Sequence, residues 1–185
     1  MNPVFGAGPH NDPGFFASMR NGSVLGRLRM VVLVMTAAPV LILAIVPLIV
    51  QGGGDTPPWV YAPSVVLALV ALLVGPRVPR PMGAGVDPDQ TARTALAMFQ
   101  QAVLMRSALA EAVIIAGLPM AIIGESALVY VAGFVLGYPL QLWLALPTRS
   151  TAERIRRRLE AEGAQSHLWA GLLATAAPPG GPGVR

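Results

Sequence analysis

The sequence predicts an all-α integral membrane protein: a four-helix bundle of transmembrane spans followed by a cytoplasmic amphipathic helix. Three observations predict this fold class. Hydrophobic residues make up 54% of the 185 residues and charged residues only 12%, about half of the charged share of a soluble domain. The charges leave long apolar windows, and the arginines fall on alternate connections between them. This pattern argues against a soluble enzyme and a disordered chain, and the absence of cysteine argues against a disulfide-stapled secreted domain.

Four apolar windows have the length of a membrane span. Residues 30–50, 56–76 and 126–148 contain no charged residue, and residues 103–123 contain only Arg106 and Glu111. About 20 apolar residues cross a hydrocarbon core, and a soluble bundle would instead show a polar face at a period of 3.6 residues. The predicted spans are 30–50, 58–76, 98–123 and 126–147.

The arginines predict the orientation. They precede the first span, lie between the second and third spans, and follow the fourth span, whereas the other two connections contain no basic residue. Because basic loops stay on the cytoplasmic side, both termini are expected in the cytoplasm of a multi-pass protein of a bacterial inner membrane.

Four regions follow from these boundaries. Residues 1–29 are predicted to be a loose cytoplasmic tail because they are rich in Gly, Pro and Asn, and residues 30–148 to be the membrane domain. Residues 149–175 are predicted to form an Arg-rich amphipathic helix interrupted at Gly163, and the Pro- and Gly-rich residues 176–185 to be disordered.

The third helix is predicted to begin well before its span. Asp87 is a suitable N-cap, Pro88 suits the first helical position and Gln90 the third, as in a capping box. No helix-breaking residue follows until Gly117 and Pro119. The first turns of this helix should therefore lie at the cytoplasmic interface.

Arg106 and Glu111 are the two charged residues inside a predicted span. A charge near the bilayer centre costs about 2.5–3.5 kcal/mol on insertion scales, so each needs a physical reason. Arg106 is interpreted as an anchor that extends to the inner headgroups. Glu111 is too deep for that, so three roles stay open: an interhelical hydrogen bond, proton or ion binding, or a subunit contact.

Nearby polar and small residues bear on Glu111 and on packing. Ser107 lies one turn before Glu111, and Tyr138 is expected at the same depth on the fourth helix, where its hydroxyl could bond the carboxyl. Gly133 and Gly137 form a small-xxx-small pattern on one face with Tyr130 and Gln141. This pattern favours close helix packing within the chain, with a homodimer contact as the alternative.

Residues 107–118 read Ser-Ala-Leu-Ala-Glu-Ala-Val-Ile-Ile-Ala-Gly-Leu. This run resembles the second helix of the ATP synthase proteolipid, subunit c, which has a similar Ala-Leu-x-Glu-Ala run followed by Gly-Leu. In that family the carboxylate carries the transported proton or sodium ion. The resemblance implies that role for Glu111 alone.

Basic residues cluster directly after the fourth span. A juxtamembrane cluster of this kind attracts anionic lipid of the inner leaflet, although membrane topology alone also accounts for it. Nucleic acid is not expected as a partner, because the cluster is short and lacks a recognisable binding module. The candidate headgroup-binding residues are Arg154, Arg156, Arg157 and Arg158.

No catalytic constellation is visible, and neither a cofactor nor a metal is expected, since His10 and His167 both lie in predicted tails. The sequence therefore favours a small non-enzymatic accessory or assembly subunit of a larger membrane complex, with protein partners or further copies of itself. The alternative is a proton- or ion-coupled transport subunit that uses Glu111. A third hypothesis is a lipid-surface or membrane-organising protein that acts through the arginine helix.

Overall fold

The computed structural model describes residues 4–52, 55–83 and 87–175. Within these ranges the regular secondary structure is helical, and an isolated β-bridge joins Ser23 and Thr175. The α-helices are α1 (Phe15–Arg20), α2 (Val24–Ile49), α3 (Ala62–Val74), α4 (Pro88–Ile123), α5 (Ala127–Leu144), α6 (Arg149–Leu159) and α7 (Leu168–Leu172). The predicted disordered tail, residues 176–185, lies outside the described residues.

Four helical segments are long and apolar enough to cross a membrane: Val24–Ile49, Pro58–Arg77, Pro88–Ile123 and Ala127–Leu144. The second segment joins α3 to a 3-10 helix at each end. The described residues therefore confirm the predicted all-α class and the presence of four helices that are long and apolar enough to span a membrane. The first helix begins earlier than predicted, because residues 24–29 continue it rather than belonging to a tail.

The start of α4 follows the predicted local chemistry. The helix begins at Pro88, and the Asp87 carboxylate accepts a hydrogen bond of 3.0 Å from the backbone N–H of Asp89. The backbone carbonyl of Asp87 also accepts the first helical hydrogen bond, from the N–H of Thr91. A side-chain oxygen at this position satisfies an amide that the helix itself leaves unpaired, so the cap is confirmed.

The structure divides into two compact units. One consists of residues 32–78 and 101–146, apart from the undescribed positions between them. One of its apolar clusters packs α2 side chains such as Val46 against Ile114 of α4 and Tyr130 of α5. A second cluster packs Ala68 and Ala71 of α3 against α4.

The other unit consists of the described residues among 1–31, 79–100 and 147–185. It holds α1, α6 and α7 together with the first turns of α2 and α4. Its fully buried side chains come from all of these helices. They include Leu25, Phe99, Ile155, Leu159, Leu168 and Leu172.

The predicted loose N-terminal tail is folded from residue 4 onward. The N–H of Val4 donates to the carbonyl of Ala170 at 3.1 Å, and α1 packs closely enough on α2 that Gly26 has no room for a Cβ beside the Ser18 carbonyl oxygen. Composition alone suggested disorder. Contacts with residues far along the chain order the segment, and these have no local sequence signal.

Candidate intramembrane site

Small residues line the packing contact between α3, α4 and α5. On α3, buried Ser64, Ala68 and Ala71 repeat at spacings of four and three residues, so they share one helix face. On α5 the buried face holds Tyr130, Gly133, Gly137 and Gln141, the four residues grouped by the sequence pattern. Small side chains let helices approach closely in a membrane, where packing drives association.

The two glycines of α5 lie directly against α4. A Cβ on Gly137 would stand 2.5 Å from Cγ1 of Ile114 and 3.0 Å from the carbonyl oxygen of Ala110. A Cβ on Gly133 would stand 3.2 Å from the carbonyl oxygen of Val113 and 3.1 Å from the Ser64 hydroxyl. The structure thus uses the small-xxx-small pattern for packing within the chain, and this buried face is not available to a second copy.

Arg106 is buried, with 4% of its surface exposed. Its guanidinium donates a hydrogen bond to the backbone carbonyl of Val78, directly after the 3-10 helix that ends the second apolar segment. A charged donor satisfies a carbonyl that the end of a helical segment leaves open. Arg106 therefore has a structural contact inside the chain, which the lipid-anchor interpretation did not include.

Ser107 and Glu111 do not form the pair that their spacing suggested. Ser107 is fully buried, and its hydroxyl lies 4.0 Å from Sδ of Met35 on α2. Glu111 is half-buried and forms no hydrogen bond or ion pair with any residue that the structure describes. It lies at the boundary between two faces of α4, with buried Ser107 and Ile114 on one side and exposed Ala108 and Ile115 on the other.

Tyr138 does not bond to Glu111 within the described chain. Its ring instead stacks on Phe134 at a centroid distance of 4.6 Å. The tyrosine of α5 whose hydroxyl has a buried acceptor is Tyr130, which donates to the carbonyl of Pro39 at 3.1 Å. Tyr130 shares the buried face with the glycines, whereas Tyr138 is one residue, about 100°, away from Gly137.

Two buried polar side chains, one of which the sequence had placed on the packing face of α5, have no partner among the described residues. Neither the Oε1 nor the Nε2 atom of Gln141 has a hydrogen-bond partner in the described chain, although the residue has no exposed surface. The Ser64 hydroxyl is likewise unpaired and buried. A buried polar group without a partner costs about 1–3 kcal/mol. Among apolar residues, an isolated Gln or Ser gives no sequence sign of its surroundings.

The arginines of α6 differ in their environments. Arg156 forms ion pairs with Glu153 at 2.6 Å and Glu160 at 2.7 Å, and its hydrogen bond lowers the pKa of Glu153 to about 2. Arg158 donates to the carbonyl of Pro79 at 3.0 Å. Arg154 and Arg157 are exposed, although each also has a contact on its own helix. The four predicted headgroup residues are therefore not equally placed to meet lipid.

Arg29, which the sequence marked only as a topology signal, has an extensive set of polar contacts. Its guanidinium forms an ion pair with Asp12 at 2.6 Å and donates to Gly14 O, Ser18 Oγ and Pro147 O at 2.7–2.9 Å. Arg29 is only 1% exposed, and its hydrogen bond lowers the pKa of Asp12. One buried cation thereby ties the N-terminal segment, α2 and Pro147, two residues before α6, together.

The described residues contain no group of three or more His, Cys, Asp or Glu side chains placed to hold a metal ion. Comparisons with protein-family models, curated proteins and solved structures found no match. The role of Glu111 must therefore be inferred from its burial and contacts in this structure rather than from a related protein.

Proposed function

We propose that this chain is a small, non-enzymatic accessory or assembly subunit of a larger complex in a bacterial inner membrane. In this proposal it binds its partner within the bilayer through the face of α4 that carries Glu111. The observation that supports it is the lack of any hydrogen-bond or ion-pair partner for Glu111 in the described chain.

The cost of an unpaired carboxyl favours a contact from outside the chain. Polar groups inside a membrane segment are expensive and usually pair with one another or with backbone carbonyls. Arg106 and Tyr130 follow that rule within this chain, whereas Glu111 does not. Exposed Ala108 and half-exposed Ala112 flank it, which would let another helix approach the carboxyl closely.

The proposed topology has both termini in the cytoplasm. Exposed arginines lie before residue 30, at residues 77–93 and after residue 148, outside the apolar runs of the four segments. The connections around Asp55 and Glu125 contain acidic but no basic residues. Basic connections are retained on the cytoplasmic side. The exposed arginines are Arg20, Arg27, Arg77, Arg80, Arg93, Arg149, Arg154 and Arg157.

Anionic lipid of the inner leaflet is the second proposed partner. Exposed Arg154 and Arg157 are best placed to bind headgroups, each contributing about 1 kcal/mol near such a surface. Replacing both with Gln should lower the amount of anionic phospholipid that co-purifies with the chain. Arg93→Gln, which removes an exposed arginine from α4, is the control for a general loss of charge.

The test of the subunit proposal is purification in mild detergent of the native chain and of Glu111→Gln and Glu111→Leu. We expect co-migrating protein with the native chain, retention with Gln because an amide still forms hydrogen bonds, and loss with Leu. Glu162→Gln, at an exposed carboxyl, is the matched control. Identical migration of the native chain and Glu111→Leu would contradict the proposal.

A proton- or ion-coupled transport subunit is the alternative, and the same unpaired carboxyl supports it. The local resemblance of residues 107–118 to subunit c implies the carrier role for Glu111. A hydrophobic carbodiimide should then modify the native chain but not Glu111→Gln. Glu111→Gln should also abolish ion flux in reconstituted vesicles. Unchanged flux in that variant would exclude the carrier role.

A further inference from the structure

The exposed side of α4 carries a heptad-like seam. Its residues are spaced alternately by three and four positions over six intervals. Each is exposed or half-exposed, and Leu118 also packs against the apolar cluster of α2, α4 and α5. This spacing places them in one line along the helix, as at the a and d positions of a coiled coil. The seam consists of Gln101, Leu104, Ala108, Glu111, Ile115, Leu118 and Ile122.

Glu111 lies at the centre of this seam. The positions on either side, Ala108 and Ile115, are apolar, and Gln101 at the cytoplasmic end is the other polar member. A single polar residue at a core position of a coiled coil commonly sets register and oligomeric state, because it must meet a polar group on the facing helix. The seam therefore needs a facing helix that offers a hydrogen-bonding group at the depth of Glu111.

We propose that a second copy of this chain occupies the seam and forms a parallel α4–α4 dimer in which the two Glu111 carboxyls bond to each other. This proposal rests on the proposed function and names the partner. Two copies inserted with the same topology are related by a twofold axis along the membrane normal. Residues near such an axis meet their own counterparts.

The chemistry of the carboxyl suits this symmetry. An uncharged carboxylic acid has one O–H donor and an accepting oxygen, so two facing acids satisfy each other with two hydrogen bonds. No separate donor on the partner is then required. The other close-packing face, at Gly133 and Gly137, is already filled by α4 of the same chain.

The test is disulfide cross-linking of the full chain in native membranes, using single-cysteine variants of a protein that has no native cysteine. Ile122→Cys and Ile123→Cys are a matched pair, because both side chains are 56% exposed. Leu104→Cys and Met105→Cys form a second pair, at 44% and 47% exposure. Each pair differs by about 100° of rotation about the helix, and only the first member lies on the seam.

We expect oxidation to give about tenfold more disulfide dimer for the seam member of each pair than for its neighbour, since the rotation turns the neighbour off the twofold axis. In the Ile122→Cys background, Glu111→Gln should keep the dimer because an amide also donates and accepts. Glu111→Leu should lower the yield several-fold. Equal yields within both pairs, or no dimer at any position, would overturn the proposed dimer.

The cross-linking result also separates the proposed dimer from the proposed subunit function. Cross-linking of the seam cysteines to a different protein, lost in Glu111→Leu, would overturn the second copy as occupant while supporting the subunit function. Periodic self-cross-linking that persists undiminished in Glu111→Leu would overturn the role of the paired carboxyls. These positions face outward in the described chain, so the cysteines should not disturb its packing.

Discussion

Replacing Asp12 with Asn should loosen the N-terminal segment from α2. The carboxylate forms a two-oxygen contact with Arg29, at 2.8 and 2.6 Å, and only 1% and 3% of the two side chains are exposed. Breaking a buried ion pair by removing one partner typically costs about 3–5 kcal/mol, because the other charge stays buried without compensation. Because Arg29 would keep its bonds to Gly14, Ser18 and Pro147, we expect a loss of stabilising free energy near the lower end of this range.

A loss of about 3 kcal/mol corresponds to an increase of about 150-fold in the opening equilibrium of the segment. Chymotrypsin cleavage at Phe15 or Phe16 measures that opening, because α1 must unfold to enter a protease site and the rate follows the open population. Asp89→Asn, at an exposed carboxylate, is the control. A cleavage rate for Asp12→Asn within twofold of the control would refute the reasoning.

The pH dependence gives an independent check. The pKa of Asp12 in the folded state lies below its ordinary value of 3.8, mainly because of the hydrogen bond from Arg29. Such a group contributes its full stabilisation above pH 3.8 and loses it as the pH falls through the folded-state pKa. Because chymotrypsin needs a neutral histidine, this test requires a protease that works in acid. Cleavage of the native chain by such a protease should accelerate only in that acidic window, relative to the Asp89→Asn control. The corresponding acceleration should be absent in Asp12→Asn.

Three further predictions concern helix packing and membrane topology. Gly137→Ala should lower the melting temperature in detergent, because its Cβ would stand 2.5 Å from Cγ1 of Ile114. This clash should outweigh the higher helix propensity of Ala. Gly83→Ala, with open space around it, should not lower the melting temperature. Gln141→Leu should leave the free energy of unfolding unchanged or raise it by about 1–2 kcal/mol, since it removes a buried amide that has no partner among the described residues. Thr36→Val, which removes a bonded hydroxyl, is the control. A clear loss of stability in Gln141→Leu would show that the amide has a partner. An impermeant thiol reagent applied from outside should label Asp55→Cys but not Gly83→Cys, and the reverse pattern would invert the proposed topology.

The interactions that local sequence determines were predictable. Each span is defined by its own run of apolar residues, and the start of α4 by Asp87 and Pro88, which act on amides within one turn. The shared face of Tyr130, Gly133, Gly137 and Gln141 followed from helical periodicity alone. None of these features requires knowledge of a neighbouring helix.

Only the tertiary structure decided which face of each helix meets protein and where each polar side chain finds its partner. Lipid and the protein interior are both apolar, so the hydrophobic pattern of a span does not distinguish its two sides. The contact of Arg29 with Asp12 joins residues 17 positions apart, and its bond to Pro147 joins residues 118 apart. Glu111 could be recognised from sequence as a costly charge. Its half-buried position, without a partner among the described residues, emerged only when α2 and α5 were packed against α4.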